Sequence, residues 1–121
     1  MSDQKDIGNL GENLALKFLI QKNYLILAKN YTIYGGEIDI IVQDLANQDI
    51  VFVEVKTRRH TDYGWPEQAF NTKKRQRMMR TASQYLKEIK AKISLNYRFD
   101  IISVELNLNT RLSKISHFKG I

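Results

Sequence analysis

The segment from Gly35 to Arg59 constrains the fold more than any other part of the chain. Two runs, GGEIDIIVQD (35–44) and VFVEVKTRR (51–59), alternate side chains with the period of two that a β-strand imposes. Between them DLANQD is polar and short enough to join antiparallel neighbours, so residues 37–57 read as one β-hairpin. In the second run Phe52, Glu54 and Lys56 point one way, and Val51, Val53 and Val55 the other. In the first, Glu37, Asp39, Ile41 and Gln43 share a face. Pairing Gln43 with Ile50 across the turn sets Asp39 opposite Glu54 and Glu37 opposite Lys56, with the two carboxylate-bearing Cβ atoms about 5 Å apart.

Two carboxylates at that spacing repel unless a cation or a proton lies between them. On a half-exposed strand, Glu37 and Lys56 are readable as a plain cross-strand ion pair. Against this, the apolar flanks Ile38, Ile40, Val53 and Val55 put both acids on strands near the centre of a sheet, where a charge needs a reason. Mg2+ or Mn2+ supplies one. These hard cations take oxygen ligands, and Asp39, Glu54 and the Val55 carbonyl lie within reach of a single ion. Water and a phosphate oxygen complete such a shell, and Lys56 is left to position the attacking water or to balance charge in the transition state. Those roles fit phosphodiester hydrolysis.

A helix is predicted over Ile7–Lys22, with Asp6 as N-cap and Asn23 ending it. At about 100° per residue, Phe18, Ala15, Leu19, Leu16 and Ile20 fill one face, and Glu12 falls in its middle. Such a glutamate is explained by a shifted helix start between glycines, by a place on the core's rim, or by a carboxylate directed inward for use. A strand is expected over Tyr24–Thr32, with Gly35-Gly36 marking the next junction. HTDYGWPEQAFN (60–71) reads as a loop or lid ending in a helical turn around Glu67–Phe70. A second helix follows, capped by Thr72, with Met78, Met79, Ala82, Tyr85, Leu86 and Ile89 as its core stripe. Lys73, Arg77, Arg80 and Lys87 form a basic ridge opposite, while Lys74 and Arg75 turn towards the sheet. After a turn at Ser94–Asn96, Tyr97–Leu106 and Leu112–Phe118 have strand composition. His60 and His117 lack metal-ligand spacing and are read as surface or strand residues, and Trp65 as the anchor of its loop. Helix, three strands, helix and one or two strands imply a single α/β domain over 1–121, a mixed sheet with helices packed on it.

Nineteen Lys and Arg against thirteen Asp and Glu give a net charge of +6, which favours a polyanionic partner such as nucleic acid or an anionic membrane surface. The absence of Cys excludes disulfides, thiolate zinc sites and a cysteine nucleophile. No apolar run is long enough to span a bilayer, and the first twenty residues lack a signal-peptide pattern, so a cytoplasmic protein with no membrane partner is expected.

Glu12, Asp39 and Glu54-Val55-Lys56 together resemble the PD-(D/E)XK nuclease pattern: an acid on a helix, an Asp on one strand and Glu-x-Lys on the next. The order of GENLALKFL, GGEIDII, VFVEVKTR, GWPEQAFNTKKRQRM and RFDIISV is similar to that in the YraN-type family of uncharacterised bacterial proteins, over nearly the whole chain. The resemblance implies a restriction-endonuclease-like three-layer fold, as in archaeal Holliday-junction resolvases, with a central mixed sheet flanked by helices. It implies metal held by Asp39 and Glu54, Glu12 completing the acidic cluster, and Lys56 as the catalytic lysine. Ile38-Asp39 stands where the nominal pattern has Pro-Asp. Gln68 and Lys73 become phosphate or water contacts, or equally solvated surface, beside the basic Lys74, Arg75, Arg77 and Arg80. The expected activity is metal-dependent cleavage of DNA, ahead of RNA, with branched DNA as one substrate class. The alternative is a nucleic-acid-binding module of the same fold that does not cut, and a third reading is a protein-interaction role. Junction resolvases act as symmetric dimers because their substrate has two equivalent strands, so a homodimer is the arrangement the analogy suggests.

Overall fold

The computed structural model describes residues 3–59, 71–90 and 95–121. In chain order these form α1 (Asp3–Gln21), β1 (Tyr24–Ile33), β2 (Gly36–Asp44), β3 (Ile50–Arg59), α2 (Thr72–Glu88), β4 (Tyr97–Asn107) and β5 (Leu112–Phe118). The lid reading of 60–71, with its helical turn and His60, Trp65 and Gln68, lies outside the described residues except for Asn71.

The strands build one mixed sheet in sequence order. β1–β2, β2–β3 and β4–β5 are antiparallel, and β3–β4 is parallel because α2 lies in the connection between them. Gln43 pairs with Ile50, the register expected from the alternation. α1 packs on one face over β1, β3 and β4, and α2 on the other against β2. Each helix seals its own core: Ala15 and Leu19 close over Ile40, Val42, Val51, Val53 and Ile102, while Met78, Ala82 and Tyr85 close over Ile38, Ile41, Ile50 and Phe52. The molecule is therefore a three-layer α/β/α fold of the restriction-endonuclease-like type, with β3 at the centre of the sheet.

Several local expectations shift. α1 begins at Asp3, so Asp6 lies inside the first turns instead of capping them, where its charge complements the helix N-terminus. Asn23 ends this helix in the left-handed region, at φ 67°. Ile20 lies off the buried stripe and is 58% exposed. The N-cap of α2 is Asn71, whose Oδ1 accepts the Lys74 amide at 2.9 Å, so Thr72 is the first helical residue. Met79 and Ile89 are exposed, and Thr81 joins Met78, Ala82 and Tyr85 on the buried face. Two glycines permit close approaches that position the helices. A Cβ on Gly11 would collide with the Thr57 side chain, and one on Gly36 with the Thr81 hydroxyl.

Candidate nucleic-acid cleavage site

The β2–β3 ladder runs from Gln43↔Ile50 to Ile40↔Val53 and ends there. Asp39 stands at the point of separation. Its Oδ2 accepts the Val55 amide at 2.8 Å, so a side-chain carboxylate takes the place of the next backbone rung. Strand β2 also turns over at this residue. Ile38 and Ile40 are two apart, yet Ile38 joins the α2-side core and Ile40 the α1-side core. On the neighbouring strand the register puts Asn30, at φ 50°, opposite Asp39. A regular hairpin continuing past Ile40 would have paired Asp39 with Glu54 and Glu37 with Lys56, and neither pair is in the ladder. The strands part first, and among the described residues the Glu37–Lys56 ion pair does not form.

Parting opens a cleft of about 520 Å³, floored by the outer half of β3 and walled by the start of α1 and by Lys74 of α2. Glu12, Asp39, Glu54, Val55 and Lys56 all line it. Two smaller cavities meet at Asp39: one towards α1 with Glu12, Lys29 and Asn30, the other towards α2 with Glu37, Glu54, Lys74 and Arg77. Glu12 is brought to this point by Gly11, whose missing side chain lets α1 settle against Thr57 of β3. It is half-buried there, at the rim of the core and facing the cleft.

The electrostatics follow from this crowding. Burial pushes the Asp39 carboxyl up to about 7, with Glu54, Glu12 and Glu37 adding to the rise and the Val55 amide opposing it. Burial also raises Glu12, reinforced by Glu37 and Glu54 and countered by Lys29. One cation already answers the acids: Lys74 Nζ lies 2.8 Å from Glu54 Oε1. Lys56 reaches the same cleft and, among the described residues, has no carboxylate partner.

Could this donor set hold a divalent ion? Among the described residues no three His, Asp or Glu side chains converge as a ready-made cage. The site offers two carboxylates, the Val55 carbonyl and open volume for water. Mg2+, which keeps several waters and uses one or two carboxylates, suits such a site better than an all-protein cage would. The residues present fit the ion.

The basic residues divide. Lys74 reaches the acidic cavities as expected, and Arg77, expected on the opposite ridge, lines the α2-side cavity with it; Arg75, expected to turn towards the sheet, is exposed like Lys73 and Arg80. Arg80 nevertheless lies beside the β1–β2 turn, since a Cβ on Gly35 would sit 3.9 Å from its guanidinium.

Sequence reasoning missed a second polar cluster. Asp100, fully buried on β4, accepts Arg98 Nε at 3.1 Å and the Gly120 amide at 3.0 Å, and lies 2.7 Å from His117 Nε2. Arg98 extends the network to Asp44 at 3.1 Å and to the Tyr24 hydroxyl at 2.9 Å. His117, expected as a surface or strand residue, is a half-buried strand residue packed edge-on against Phe18. The signal was an aspartate inside the apolar run RFDIISV, because a charge there requires a partner.

The profile of the uncharacterised protein family UPF0102 matches residues 11–104, a span that contains Glu12, Asp39, Glu54, Lys56 and the Arg98–Asp100 pair. Similar proteins include a UPF0102 protein of Alkaliphilus oremlandii, 46% identical over 96% of this chain and 97% of its own length. Others are UPF0102 proteins of Clostridium beijerinckii, 40% identical over 95% of this chain and 91% of theirs, and of Caldicellulosiruptor saccharolyticus, 37% identical over 98% of both. With the match running through both helices and nearly the whole sheet, the chain belongs to family UPF0102, the YraN-type family that its motifs resemble.

Proposed function

We propose that this protein is a cytoplasmic endonuclease that hydrolyses phosphodiester bonds, in DNA ahead of RNA, at the cleft where β2 and β3 part. The observation that carries the reading is Asp39. Its carboxyl is pushed up to about 7 by burial beside Glu54, and it stands with Glu54 and Lys56 in an open cleft on a basic protein. Asp39, Glu54 and the Val55 carbonyl would hold Mg2+ or Mn2+, which when bound supplies Lewis acidity and a water of lowered pKa. The Val55 amide fixes one Asp39 oxygen and so orients the other. Lys56 orients the attacking water or stabilises charge on the phosphoryl oxygens. Glu12 closes the acidic cluster from the α1 side. Arg77 and Lys74 at the cavity rim, then Lys73, Arg75 and Arg80 along α2, meet the phosphate backbone.

The test is incubation of the protein with duplex, single-stranded and four-way-junction DNA and with RNA, in Mn2+, Mg2+ or chelator. Metal-dependent cleavage lost in Glu54→Ala is expected, and cleavage that persists in chelator or in the variant would refute the site. A junction preference would favour action on branched DNA by a homodimer.

One observation favours a second reading, a nucleic-acid-binding module that does not cut: Lys74 already neutralises Glu54. That reading predicts salt-sensitive binding of the same nucleic acids with no cleavage in any metal.

A further inference from the structure

The Lys74–Glu54 pair stands where a divalent ion would have to bind. Its side chains are 30% and 16% exposed, so it is neither a solvated surface pair nor a sealed one. Lys74 lines both the main cleft and the α2-side cavity, in each case with Asp39 and Glu54. Its backbone is pinned by the Asn71 cap, which leaves the long flexible stem as the part free to move. On the same helix, Arg77 lines the α2-side cavity and Lys73 lies one residue away, so a displaced Lys74 ammonium would still lie among groups suited to phosphate.

We infer that Lys74 holds Glu54 until a divalent ion takes that carboxylate, and that the released ammonium then engages a nucleic-acid phosphate, so that ion and nucleic acid bind cooperatively through this side chain. The inference rests on the proposed metal site. A cation of charge +2 at Glu54 outcompetes and repels an ammonium of charge +1 a few ångströms away. The released ammonium needs an anion, and a phosphate backbone crossing the rim of the cleft provides one. Reciprocity follows from linkage. If the ion frees Lys74 for the phosphate, a phosphate that captures Lys74 frees Glu54 for the ion.

Two measurements test this on the full chain. Mn2+ affinity, read by electron paramagnetic resonance without nucleic acid, is compared among the wild type, Lys74→Gln and Glu54→Gln, with thermal melting to check folding. Removing the competing ammonium should tighten Mn2+ binding about tenfold in Lys74→Gln, and Glu54→Gln should weaken it. The salt dependence of duplex binding is then followed by fluorescence anisotropy with and without Mn2+, in a Lys56→Ala background that limits cleavage. Mn2+ should steepen the slope of log K against log salt with Lys74 present, by about 0.9 more than in its Gln variant, the increment of one phosphate contact. If Glu54→Gln weakens Mn2+ binding while Lys74→Gln matches the wild type in both measurements, the role of Lys74 is overturned and the metal site stands. If Mn2+ does not bind, or binds equally well to Glu54→Gln, both fall.

Discussion

Asp39 and Asp100 are two aspartates of one sheet, the first half-buried at a cleft and the second fully buried, and their surroundings are opposite. The row Ile40–Val53–Asp100 runs straight across three strands, with Asp39 one residue from its end. Asp100 is surrounded by donors. Burial alone would raise its carboxyl, but the His117 and Arg98 hydrogen bonds and the Gly120 amide hold it below the usual carboxylate range. Asp39 has one backbone amide and faces three other acids, so its carboxyl is pushed up to about 7. The first is a finished structural joint, fastening β4 to β5, β1 and the end of β2. The second has too few donors to offset its acidic neighbours, and a cation or a proton would relieve them. Burial alone therefore does not mark a functional acid. The supply of donors is what separates these two.

Four measurements can break or sharpen that contrast. The largest effect is expected on catalysis: Asp39→Asn should lower metal-dependent cleavage by about a thousandfold, whereas Asp100→Asn should leave the folded fraction active. Comparable rates in the two variants would erase the distinction. On stability the order reverses. Asp100→Ala strands a mostly buried Arg98 and should cost about 3–5 kcal/mol in urea unfolding. A loss below 1 kcal/mol would mean that Asp44 and Asp49 suffice for the arginine. Gly11→Ala tests whether close packing against Thr57 delivers Glu12 to the cleft. It should cost about 1–3 kcal/mol and reduce cleavage together with stability, and normal melting would show that α1 has slack there.

The smallest effect is a pH dependence. A carboxyl raised from 3.8 to about 7 binds more protons folded than unfolded between those values, so the stability it contributes at low pH is lost as pH rises to 7. Asp39→Asn should therefore melt like the wild type near pH 4 and be more stable by about 1–2 kcal/mol at pH 8, the full linkage value being reduced by solvent screening. Asp100, with its lowered carboxyl, has the opposite sign: its contribution is present at neutral pH and is lost on acidification below the ordinary carboxylate range. A variant-minus-wild-type difference that stays flat with pH would mean that Asp39 is not desolvated.

The architecture was legible because alternation is a local signal. The runs around Val53 and Ile40 specify strands, their register and their central position, and β5 was readable to its ends as Leu112–Phe118. Glu12 was legible through helical periodicity. What was not legible depends on backbone irregularity and on distance in the chain. Nothing in GGEIDII announces that the ladder stops at Ile40, because a strand that turns over and one that continues have the same composition. The Lys74–Glu54 bond joins residues twenty apart, and only the seating of α2 decides it. The Asp100 joint gathers Tyr24, Asp44, Arg98 and His117 from four strands, a convergence no local pattern carries.

The parting of β2 from β3 has a consequence for the protein's solubility. Up to Val53, β3 is an interior strand with a neighbour on each side; from Glu54 onward its described ladder is with β4 alone. Among the described residues, half of one strand is thus a sheet edge, of the sort that recruits strands from other molecules. That half carries Lys56, Arg58 and Arg59, whose like charges repel a second copy approaching the same edge. Basic residues here oppose edge-to-edge association. A variant neutralised at all three positions should self-associate at concentrations where the parent chain remains dispersed.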